Sequence, residues 1–154
     1  MSTWYRVFSL SGQEPDPVRL LEHLHEASLR VKSKFHGDEQ GWFALEMTLA
    51  PNVSNVVLER FHVETDGIRQ ELNNWVAWLE TCDYSLNHQE LMNHVIRSQQ
   101  MFTLRKPLDH SNEVLLEDTC TTVIRYVSDK TDGIYQVDGE GFFHPDSTLL
   151  LQEH

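Results

Sequence analysis

LRVKSKFH (residues 29–36), GDEQG (37–41) and WFALEMTL (42–49) decide how this chain folds. In the first segment Leu29, Val31, Ser33 and Phe35 alternate with Arg30, Lys32, Lys34 and His36, the period-two pattern of a strand with one wet face. In the last, Phe43, Leu45, Met47 and Leu49 share a face, which leaves Trp42 with Glu46 on the polar side. Two alternating runs joined by a Gly- and acid-rich turn read as an antiparallel hairpin.

Working upstream, WYRVFSL (4–10) is aromatic and β-branched and stops at Ser11-Gly12, so it reads as a strand and a turn. Asp16-Pro17 then supplies a helix cap and a first-turn proline for a helix over 16–27. The opening quarter is therefore a β-α-β-β unit. The end of the chain repeats that order: QMFTLR (100–105) as a strand, and a helix over 113–128 with Leu116, Cys120, Val123 and Val127 on one stripe. A strand at 133–138 follows, then the turn DGEG, then FF and TLLL as closing strands.

Between these units, residues 56–64 alternate as a strand, and Ile68, Leu72, Trp75, Val76 and Leu79 give the apolar face of a helix over 66–80. A further helix over 87–98 begins with Asn87 and Glu90, the pattern of a capping box. The expectation is one α+β domain over 1–154: a mainly antiparallel sheet with helices on one face and two β-α-β-β units, related in architecture to ferredoxin-like sandwiches.

The 154 residues fit one ordinary domain, and 40% hydrophobic content is enough to build a core. Twelve Lys and Arg against 24 Asp and Glu give a formal charge of −12, whose field repels polyphosphates and anionic lipid surfaces. Nucleic acid and membrane are therefore not expected partners; a protein partner with a basic surface is. The sequence has no apolar run long enough to span a bilayer and no signal-like leader, so the expected compartment is the cytoplasm. Cys82 and Cys120 lack a CxxC spacing and read as buried, reduced thiols.

No chemistry-bearing motif stands out. Nine histidines invite a metal site, but His23 and His25 diverge on their helix, and no HxxxH or HExxH occurs. Asp129, Asp132, Asp138, Glu140 and Asp146 could gather around a hard cation, yet each sits where a turn needs such a residue. GxSxG, SxxK and Gly-rich phosphate loops are lacking, and no catalytic residue, cofactor or metal is expected. Trp78 lies beyond the stripe of its helix and is expected to be partly exposed beside Trp42.

The most unusual local feature is the row Arg30, Lys32, Lys34 and His36, which gathers cations on one strand of an acidic protein. With Trp42 it forms the candidate contact for an anion or a partner, unless Glu46 neutralises it across the hairpin. Two readings follow. The first is a non-catalytic protein-binding module of the inhibitor or immunity type. The alternative is a small enzyme or ligand-binding domain using scattered His and Asp groups in a pocket between the sheet and the middle helices.

Overall fold

The computed structural model describes residues 3–154; Met1 and Ser2, where the leader reading begins, lie outside the described residues. In chain order the elements are β1 (Thr3–Ser9), α1 (Pro17–Glu26), β2 (Lys32–Asp38), β3 (Gly41–Thr48), β4 (Val56–His62), α2 (Arg69–Glu80) and α3 (His88–Ile96). They continue with β5 (Gln100–Lys106), α4 (Glu113–Lys130), β6 (Gly133–Val137), β7 (Gly141–Phe143) and β8 (Leu149–Gln152). The strands form one eight-stranded sheet in the order β2-β3-β4-β5-β1-β6-β7-β8, and every neighbouring pair is antiparallel. The fold is α+β, compatible with a ferredoxin-like relation through β5-α4-β6, whose two strands flank β1.

Local chemistry starts the elements where the sequence places them. Asp16 caps α1, its Oδ1 accepting from Val18 N at 2.9 Å and Arg19 N at 3.4 Å. Asn112 caps α4, with Oδ1 accepting from Leu115 N at 3.1 Å. The capping box at Asn87 does not form: no side-chain bond caps α3. Asn87 instead donates through Nδ2 to Leu150 O at 2.8 Å, tying the helix start to β8. The side chain is oriented by this tertiary acceptor rather than by the N–H donors of the helix start.

The helices divide between the two faces, which corrects the expectation that one face carries them all. Leu20 and Leu24 of α1, with Leu116, Cys120, Val123 and Val127 of α4, pack on Val7, Leu45, Met47, Leu58, Phe102 and Leu104. Leu72 and Leu79 of α2, with Leu91 and Val95 of α3, pack on Phe8, Met101, Ile134, Phe142 and Leu151. Val7 and Phe8 are neighbours in β1 and so point to opposite sides.

Topology explains the division. With all neighbours antiparallel, α1 links the parallel pair β1 and β2, and α4 links the parallel pair β5 and β6. The two crossovers start from oppositely directed strands and step in opposite directions, so right-handed connections put both helices on the same face. The segment α2-α3 joins the antiparallel neighbours β4 and β5, is free of that rule, and takes the vacant side.

One bulge changes the reading of the hairpin. His36 pairs with Ala44 but Gly37 pairs with Trp42, leaving Phe43 as an extra residue on β3. The alternation reverses there. Phe43 turns outward at 48% exposure, while Trp42 is only 4% exposed in the core, edge-on to Phe35. Its Nε1 donates to Pro15 O at 2.9 Å. Trp42 is therefore no surface contact, and it is also not beside Trp78, which stacks on Phe142 in the other core cluster.

Candidate functional site

The cationic row splits into two environments. Lys34 lies directly across from Glu46, and His36 Nε2 stands 3.1 Å from Glu46 Oε2. Asn55 Nδ2 donates to the other oxygen, Oε1, at 2.7 Å. The bonds from His36 and Asn55 hold the Glu46 carboxyl below its usual range. This half of the row neutralises a carboxylate on an open sheet face, where both His36 and Glu46 remain more than a third exposed.

Arg30 and Lys32 behave otherwise. The hairpin is paired only as far as Lys32 and Thr48, although the sequence pattern runs on to Leu29 and Leu49. Beyond that pair the two chains separate, and the C-terminal half of α1 faces the gap. The result is a groove of about 900 Å³ whose lining includes Leu21, Leu24, Leu29, Val31 and Leu49 together with His25, Arg30 and Lys32. Among the described residues neither Arg30 nor Lys32 has a carboxylate within ion-pair distance. Ser33, also in the lining, has a buried hydroxyl with no hydrogen-bond partner.

A second surface lies at the other end of the sheet. Glu71, Asn74, Trp75 and Trp78 of α2 and Glu153 line a shallow depression of about 300 Å³. Arg6 sits behind it, its guanidinium 5.0 Å from the Trp75 ring centroid. Arg6 Nη1 donates to Asp138 Oδ1 at 2.7 Å and to Gln136 Oε1 at 2.8 Å, so its charge is already satisfied. Trp75 Nε1 donates to Glu71 Oε1 at 3.2 Å. Burial pushes the Glu153 carboxyl above its usual range, with Asp138 adding to the shift and Gln136 opposing it. Two indoles and two carboxylates at an open surface suit a cationic group.

No family model, no curated protein and no solved structure matches the chain.

Several of the remaining candidates are held by internal bonds. His94 Nε2 lies 2.9 Å from Phe8 O, and burial holds its pKa low; His110 Nε2 lies 2.8 Å from Ser54 O. Among the described residues no three His, Cys, Asp or Glu converge as metal ligands. Of the C-terminal acids, Asp138 receives Trp4 N and Arg6, Asp146 accepts from Thr148 N at 2.9 Å, and Asp132 takes a positive φ of 50°. Both cysteines are buried, and burial pushes the Cys120 thiol up to about 12, so it stays protonated at neutral pH. No helix is long and apolar enough to cross a membrane among the described residues.

Sequence reading missed Arg60. It is 4% exposed, donating from Nε to Gln100 Oε1 at 2.7 Å and from Nη1 to Trp42 O at 3.1 Å. Gln100 in turn donates to Ser11 O and Gln13 O, so this pair ties β4 and β5 to the loop before α1. The signal was present: Arg60 falls in the apolar phase of its strand, after Val56 and Leu58.

Proposed function

We propose that this protein is a non-catalytic binding module, acting in the cytoplasm as an inhibitor or immunity-type protein does, and that its partner is a protein with a basic surface. The supporting observation is the depression between Trp75, Trp78, Glu71 and Glu153, where aromatic area and negative charge meet on the surface of a chain carrying −12. The overall charge accelerates encounter with a cationic partner, and the indoles supply the desolvated anchor that charge alone lacks. A Lys or Arg of the partner would lie against the exposed indole surface with Glu71 and Glu153 beside it.

The test uses the immobilised chain and extract of its native cell. A basic protein retained at low salt, released as salt rises, and absent with the double variant Glu71→Lys, Asn74→Lys supports the reading. Both substitutions are at exposed positions, so the fold should survive. Titration of the purified partner should then show an affinity loss of about tenfold or more for the variant. Equal retention by the two forms, or an acidic partner, overturns the proposal.

A further inference from the structure

We propose that the groove at the open base of the β2-β3 hairpin binds a free fatty-acid anion, with the chain in the groove and the carboxylate at Arg30 and Lys32. This inference uses no residue of the aromatic and acidic surface and does not rest on the protein-binding reading.

Two observations converge on that ligand chemistry. The groove's volume of about 900 Å³ lies within the range that encloses small molecules, and its lining is dominated by Leu21, Leu24, Leu29, Val31 and Leu49. Arg30 and Lys32 border it without a carboxylate partner among the described residues, in a chain with twice as many acids as cations. Elsewhere on the same hairpin Lys34 lies across from Glu46 and His36 is bonded to it, whereas Lys32 lies across from the uncharged Thr48.

The combination selects against simpler ligands. A small inorganic anion would gain only the local cations while facing repulsion from the net charge of −12. An uncharged hydrocarbon would leave Arg30 and Lys32 unpaired beside apolar surface. A chain with one terminal carboxylate satisfies both. Each buried methylene should tighten binding by up to about fourfold, so affinity should climb with chain length until the groove is filled.

Calorimetric titration of the full chain with octanoate, decanoate and dodecanoate, below their micelle concentrations, tests this. Saturable binding to one site, strengthening along the series, is expected. Arg30→Glu with Lys32→Glu should weaken dodecanoate by about tenfold or more, while Lys34→Glu, on the neutralised half of the row, should leave it unchanged. Arg30→Gln with Lys32→Gln serves as the milder pair should charge reversal disturb the hairpin. Dodecyltrimethylammonium of the same chain length should bind at least about tenfold more weakly. Equal affinity for the two head groups, or insensitivity to both double variants, overturns the proposal. So does attachment to anionic phospholipid vesicles in preference to the free acid, or a self-associated chain that takes up no dodecanoate.

Discussion

Strands β2 and β6 each follow a helix that follows a strand, yet β2 is largely exposed and all five residues of β6 are buried. The two β-α-β-β units match as strings of elements and differ in space. From β1 the chain passes over three intervening strands to reach β2 at the sheet's edge; from β5 it passes over only β1 to reach β6. The first unit then meanders inward through β3 and β4, whereas the second meanders outward through β7 and β8. Order along the chain therefore sets what each segment is, and the length of the crossover sets how deeply it is buried. The edge placement of β2 also leaves its hairpin free to open at the base, which is where the groove forms.

If position decides the energetics, equivalent aromatic truncations should differ between the two ends. Phe142 is fully buried against Phe8, Trp75 and Trp78, and Phe142→Ala should cost about 3–5 kcal/mol. Phe35 is only partly buried on the edge strand, and Phe35→Ala should cost less than half as much. Urea denaturation of the two variants measures both, and equal losses would break the comparison.

Next in size is Arg60, the polar anchor of the edge half. Arg60→Met keeps the apolar stem but strands Gln100 Oε1 and Trp42 O, and the expected loss is about 2–4 kcal/mol. The intrinsic fluorescence of Trp42, which lies against the guanidinium, should shift with it. A loss below about 1 kcal/mol would mean that water replaces the guanidinium at no cost.

The smallest effect distinguishes the two ends by pH. Glu46 has a folded-state pKa below its unfolded value, so its contribution is complete above the unfolded value and is lost as pH falls through the folded one. Glu153 is shifted the other way by burial: ionising it weakens the fold, and that penalty grows as pH rises from the unfolded to the folded value. Thermal melts from pH 3 to pH 7 should therefore show Glu46→Gln flattening the acid loss of stability and Glu153→Gln raising Tm at neutral pH. The same sign for both substitutions would break the contrast.

Much of this was readable beforehand. Strand and helix positions followed from periodicity and caps, since both depend on residues within a turn or two of one another. The functional surfaces were legible only in pieces. Arg30 and Lys32 were singled out with Lys34 and His36, but nothing local distinguishes the two that Glu46 neutralises from the two that border a groove. Trp42 was misplaced because a single bulge reverses the phase of alternation, and the bulge depends on how the partner strand registers. The aromatic and acidic depression went unread because Glu153 lies 75 positions from Trp78 along the chain.

By itself the sequence determined the α+β class, the antiparallel hairpin, the Asp16 cap of α1 and a strongly acidic composition, because each rests on side-chain pattern or charge count. The tertiary structure alone decided the strand order, the face each helix covers, the burial of Trp42 and Arg60, and the opening of the β2-β3 hairpin. Those depend on which distant segments meet, and the free energy that selects among pairings is shared over the whole sheet rather than carried by any local run of residues.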